Sequence, residues 1–131
     1  MHKNLTITAL LGLVTILLGA FGAHSLKETL TVEGLKSFET AVTYQMYHVI
    51  VLLFVNTYNG FSAKEKNRIS YLLFCGILFF SGSIYLIQLT EVSAKSIWFI
   101  TPLGGVLFVI AWLFMALNFM KLNSKSSVDK K

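Results

Sequence analysis

A chain of 131 residues with a formal net charge of +5, 55% hydrophobic residues and 13% charged ones cannot furnish the surface of a soluble domain, which carries about 25% charged residues. Its mean hydropathy of +0.69 points to an integral membrane protein. The surplus positive charge lies just outside apolar runs, with no basic stripe interleaved with aromatics; this excludes nucleic acid and leaves membrane lipids, through their anionic headgroups, as the expected partner.

Four uncharged stretches, 4–23, 40–63, 69–90 and 96–120, each reach the ~20 residues that a helix rising ~1.5 Å per residue needs to cross a bilayer. They are continuously apolar, not alternating, so a barrel is excluded. The expected fold is an all-α integral membrane protein, a four-transmembrane-helix bundle. One domain, 1–120, holds spans at about 4–23, 40–60, 69–90 and 100–120, and a basic tail, 121–131, is expected to be disordered. Eight Lys and Arg residues (Lys3, Lys64, Lys66, Arg68, Lys121, Lys125, Lys130 and Lys131) fall on the side of the two termini, against three (Lys27, Lys36 and Lys95) on the other. That bias places both termini in the cytoplasm.

The first span ends in "GAFGAHSLK". Ala9, Gly12, Ile16, Gly19 and Ala23 recur at intervals of three and four, a stripe that lets helix backbones approach. Gly22 belongs to the same small-residue ending, and His24 sits at its outer end. A signal peptide cleaved after Ala20-Phe21-Gly22 is the rival reading of this span; the run is longer than the usual apolar core of such a signal.

In the first connection Thr31 is placed to N-cap a helix with Glu33 in its first turn. Leu35, Phe38, Val42 and Gln45 follow at helical spacing, so the second span begins outside the membrane. That span carries "TYQMYH", with Tyr44, Gln45 and His48 on one face. His48 is an intramembrane ionisable residue and calls for a partner inside the bundle. Ser62 and Glu65 fit a capping box before the third span. The lone Cys75, inside that span, reads as a packing residue. Ser81, Tyr85 and Gln88 follow at i, i+4 and i+7 in "FSGSIYLIQ", which also holds Gly82.

The fourth span opens with "TPLGG". Either its helix starts near Ser96 and Pro102 kinks it, or Thr101 is the N-cap and Pro102 takes the first helical position; the second geometry is preferred. Trp98 would anchor the interface, and Gly104 and Gly105 would admit a close approach. The polar residues of all four spans thus converge on the outer leaflet.

These four motifs, in order and spacing, resemble a family of small bacterial four-span membrane proteins of unknown function, to which a small mitochondrial membrane protein is related. The resemblance covers residues 5–120 and is carried by His24, Tyr44, Gln45, His48, Ser81, Gly82, Tyr85, Thr101, Pro102 and Gly105. Ser25 stands where the family often has glycine. The resemblance implies an inner-membrane protein without an established activity.

Three functions compete. The expected one is a non-enzymatic envelope protein that stabilises the membrane or a partner complex, with the polar set (His24, Tyr44, Gln45, His48, Ser81, Tyr85, Gln88 and Thr101) closed as a hydrogen-bond network. The second makes that set the site of a small ligand, lipid or transported species. The third, an enzyme or haem protein, lacks a carboxylate to orient either histidine. No catalytic residue, metal or cofactor is expected. Gly12, Gly19, Gly22, Ala23, Gly82, Pro102, Gly104 and Gly105 are assigned to helix packing, within the chain or against a sister subunit or another membrane protein.

Overall fold

In lipid a backbone finds no water, so a continuously apolar chain satisfies its N–H and C=O groups by coiling into helices. A computed structural model describes the backbone of residues 2–128 and the side chains of residues 3–124. It has four long helices, α1 (His2–His24), α2 (Val32–Thr57), α3 (Ala63–Leu89) and α4 (Ile100–Val128), with 3-10 turns at Leu26–Glu28 and Ala94–Ile97. No strand occurs among the described residues. Each long helix is long and apolar enough to cross a membrane. The loops on either side of Trp98 and Thr31 mark one end of the bundle, the Trp98 end. The α2–α3 turn marks the other, the Lys66 end.

Local chemistry sets the helix starts. Thr31 caps α2 by accepting from the Gly34 amide at 3.1 Å, so α2 starts well before the apolar run, as its spacing predicted. Ser62 and Glu65 close a reciprocal capping box at α3: the Glu65 carboxylate accepts from the Ser62 amide at 2.8 Å, and Ser62 Oγ accepts from the Glu65 amide at 3.3 Å.

The start of α4 corrects both expected geometries. Ser96 lies in the separate 3-10 turn, and α4 begins at Ile100, its first turn closed by Leu103 N–H to Phe99 C=O at 3.1 Å. Thr101 is therefore not the N-cap but the second helical residue, and Pro102 the third. The first amides of a helix have no intrahelical partner, so proline at that position forfeits no bond and causes no kink. The far end of α4 extends past the apolar run. The helix runs through residues 121–128, where disorder was expected. Extending an existing helix needs no new nucleus. Residues 129–131 lie outside the described residues.

Helices adjacent in sequence are adjacent in space: α1 packs on α2, α2 on α3, and α3 on α4. The apolar core is built from Val49, Leu52, Val55 of α2, Ile69, Leu73, Ile77 of α3 and Phe108, Ala111, Met115 of α4, closed at the Lys66 end by Phe61. Glycine makes two of these contacts possible. At Gly76 a Cβ would stand 2.5 Å from the Phe108 ring, and at Gly104 it would stand 2.3 Å from the Phe80 backbone nitrogen. There the α3 and α4 backbones touch.

The inward face of α1 differs from the expected stripe. Thr8 and Thr15 are buried, while Ala9, Ile16 and Ala23 face outward. Each threonine hydroxyl donates to the carbonyl four residues back, to Asn4 at 2.7 Å and Leu11 at 2.6 Å; its polarity is spent within its own helix, so it packs against α2 as a small apolar group would. Gly12 and Gly19 do face α2, against Val49 and Val42, and Gly22 receives the Phe38 ring, 2.8 Å from where a Cβ would sit. Ala23 and Pro102 are exposed and take no part in packing within this chain. Gly82 meets only Leu78 and the Ile77 carbonyl of its own helix. Cys75 is exposed as well, not a packing residue.

Candidate functional site

The polar residues of the spans sort into four separate fastenings, two of them between α2 and α3. Nearest the Trp98 end, Thr101 and Ser83 share a hydroxyl–hydroxyl bond of 2.5 Å between α4 and α3. Tyr85 donates to Gln45 Oε1 at 2.9 Å, joining α3 to α2, while Gln45 Nε2 reaches the Leu11 carbonyl of α1 at 3.5 Å. Ser81, fully buried, donates to the Ala41 carbonyl of α2 at 2.7 Å.

The fourth centres on His48, which lies nine residues before the end of α2, or about 14 Å along the helix, near the middle of a hydrocarbon core of ~30 Å. Its Nδ1 stands 2.7 Å from the Tyr44 carbonyl and its Nε2 3.4 Å from Trp112 Nε1. A carbonyl only accepts and an indole N–H only donates. The neutral tautomer with the proton on Nδ1 is the one that satisfies both. The ring also lies flat on Phe108, with centroids 3.5 Å apart and planes 4° from parallel. Tyr44 contributes its carbonyl here, and its ring packs on Phe80 at 5.1 Å.

Two expected members stand apart. His24 is exposed at the end of α1. Val49 packs on Gly12, so His48 sits level with a point twelve residues, about 18 Å, up α1 from His24; the two histidines cannot share one ligand. Gln88 lies over Gly34 at the start of α2, where a Cβ would come within 2.7 Å of its Oε1. Among the described residues no three His, Cys, Asp or Glu side chains gather to hold a metal.

The Lys66 end holds a polar network that the sequence reading missed. Asn56, 1% exposed, donates through Nδ2 to the Leu52 carbonyl at 2.9 Å and to Ser70 Oγ at 2.8 Å, and its Oδ1 accepts from Asn4 Nδ2 at 3.2 Å. Asn4 also reaches Asn67 Oδ1 at 3.0 Å, so α1, α2 and α3 are pinned together. Lys66 is buried, and its ammonium donates to the Asn56 carbonyl at 3.1 Å, where a cation complements the negative end of α2. An asparagine inside "VLLFVNTY" demanded a partner as firmly as His48 did, and it was the available signal. Trp112, Phe108 and Ser83 gave none, because aromatic and hydroxyl residues are ordinary in apolar spans.

The chain resembles proteins of several bacteria. It is 42% identical to a UPF0382 membrane protein of Staphylococcus saprophyticus over 87% of this chain and 93% of that protein. With a UPF0382 membrane protein of Haemophilus influenzae the identity is 39% over 94% and 98%, and with one of Bacillus subtilis it is 37% over 86% and 92%. No solved structure matches. A family model described as a protein of unknown function, DUF423, matches residues 18–105. With four helices able to span a bilayer and relatives named as membrane proteins, the chain is a multi-pass membrane protein and belongs to the DUF423 family.

Proposed function

We propose that this protein is a non-enzymatic component of the bacterial inner membrane, with both termini in the cytoplasm, that stabilises the membrane or a partner complex built into it. One observation carries the reading. Among the described residues no buried side-chain nitrogen or oxygen lacks a hydrogen-bond partner. A catalytic or transport site keeps polar groups open for what it acts on; here His48, Gln45, Tyr85, Ser81 and Asn56 spend theirs on neighbouring helices. Such closed networks fix helix register where the hydrophobic effect cannot, because lipid is as apolar as the core. The excess of Lys and Arg on the side of the termini supports the orientation. The partner is a second copy or another membrane protein.

The test is a strain lacking the protein, scored for entry of a membrane-impermeant dye and complemented with Tyr85→Phe, His48→Gln and Asn56→Leu. Dye entry restored in proportion to the folded amount of each variant supports the reading. A variant that folds at normal abundance yet restores nothing would show that its side chain does chemistry, and an intact barrier in the deletion strain would overturn the membrane-stabilising role.

A further inference from the structure

Asn118, in the apolar run "WLFMALNFM" of α4, is 8% exposed, yet its amide has no hydrogen-bond partner among the described residues. Asn56, its counterpart on α2, bonds Ser70 of α3. Every fully buried side-chain nitrogen and oxygen among the described residues is paired, so the surface that Asn118 keeps lies at its amide. That amide opens into a cavity of about 530 Å³ at the Lys66 end, between the α2–α3 turn, the start of α3 and the last turns of α4. The volume falls within the ~300–1,000 Å³ of small-ligand sites.

The chemistry of the lining selects the occupant. Phe61 and Leu122 give the cavity apolar walls, Glu65 of α3 a carboxylate and Lys121 of α4 an ammonium. The two charges share the cavity without pairing, since Lys121 makes no ion pair among the described residues. Space is left between them for a group that carries both charges. The Glu65 carboxylate accepts twice from Ser62 through one oxygen, and a carboxylate offers about four acceptor sites; its capping role is compatible with a bound ammonium. On the α4 side, Lys121 and the Asn118 amide are three residues apart, neighbours on one helix face, and offer two donors to one phosphate. Toward the span, the exposed Leu117 and Leu113 continue the face of Lys121 at successive steps of four residues, an apolar track from the charges into the hydrocarbon. The occupant therefore carries a phosphate, an ammonium able to donate, and acyl chains.

We propose that the cavity at the Lys66 end holds the headgroup of one phosphatidylethanolamine molecule, its phosphate accepting from Lys121 and Asn118 and its ammonium donating to Glu65. A phosphatidylcholine ammonium has no hydrogen to donate, and phosphatidylglycerol carries no cation. The site is one of binding and goes beyond the stabilising role; it stands whichever face of the membrane the Lys66 end occupies.

The full chain in mild detergent is titrated with phosphatidylethanolamine, phosphatidylcholine or phosphatidylglycerol of identical acyl chains, and native mass spectrometry counts the lipids retained. The expected result is one phosphatidylethanolamine per chain, held about tenfold more tightly than phosphatidylcholine, as one hydrogen bond to a charged group accounts for. Asn118→Leu weakens its binding about tenfold for the same reason. Glu65→Gln keeps the capping box, which takes Glu or Gln at that position, but shifts the preference to phosphatidylglycerol. Equal retention of the three lipids would overturn the proposal, as would a phosphatidylethanolamine adduct that either variant leaves unchanged. Soluble phosphoethanolamine competing as well as the lipid would place the ligand outside the bilayer and overturn the lipid assignment. If Asn118→Leu fails to fold, the lipid preference of Glu65→Gln decides.

Discussion

Replacing Gly104 and Gly105 one at a time by alanine should have opposite effects, although the residues are neighbours on one helix. At Gly104 the new methyl would lie 2.3 Å from the Phe80 nitrogen and 2.8 Å from the Phe79 carbonyl carbon, whereas ordinary contact begins at 3.4 Å. The obstacle is backbone, which cannot rotate aside, so α3 and α4 must separate by about 1 Å. Overpacking of this kind costs about 1–3 kcal/mol, and loosening an entire helix pair places Gly104→Ala near the upper figure. At Gly105 the methyl meets one ring carbon at 3.9 Å and nothing has to move. There alanine gains about 0.5–1 kcal/mol from lower backbone entropy in the unfolded chain. Both variants are to be unfolded in mild detergent by graded addition of dodecyl sulfate, with helicity followed by circular dichroism. Equal midpoints would refute the claim that the α3 and α4 backbones touch at Gly104, and a destabilised Gly105→Ala would refute the claim that its side of the helix is open.

Three further outcomes follow from the same contacts. Ser81→Ala should cost about 0.6 kcal/mol, a typical value for a hydrogen bond between membrane helices; a loss of several kcal/mol in the same detergent assay would mean that Ser81 does more than fasten α3 to Ala41. Asn56→Leu should cost about 1–3 kcal/mol, because it strands the buried Ser70 hydroxyl and leaves the Asn4 amide with Asn67 alone, and an unchanged unfolding midpoint would remove the network from the account. On the proposed topology, alkaline phosphatase fused after Lys131 should stay inactive and a fluorescent protein fused there should shine; active phosphatase would invert the topology.

The four spans were legible because lipid leaves a chain few options. Length and apolarity alone call for a helix, and the charges between the runs mark its ends. Caps were legible too, since Thr31 with Gly34 and Ser62 with Glu65 act within one turn of chain. What failed was partner choice. Tyr44, Gln45 and His48 share a helical face within a turn, yet Gln45 turns to Tyr85 of α3 and His48 to Trp112 of α4. Three residues turn the helix by about 300°, leaving the two side chains about 60° apart on one face, enough for each to meet a different helix. Small-residue spacing misled for a related reason: Ala23 and Gly22 are adjacent, and only the contact with Phe38 says which of them faces inward. The start of α4 was misread because one expected geometry carried the helix back to Ser96 and the other made Thr101 its cap. In fact Phe99 supplies the first helical carbonyl, and Thr101, relieved of capping, bonds Ser83.

The central claim is that the polar residues of the spans fasten helices to one another, and the Gln45–Tyr85 pair tests it most directly. Unfolding free energies of the parent, Gln45→Leu, Tyr85→Phe and the double variant form a cycle that isolates their interaction. The predicted coupling is about 0.6 kcal/mol, and no more than ~1.7 kcal/mol, with the pair favourable. Strict additivity, with a coupling below about 0.3 kcal/mol, would contradict the claim.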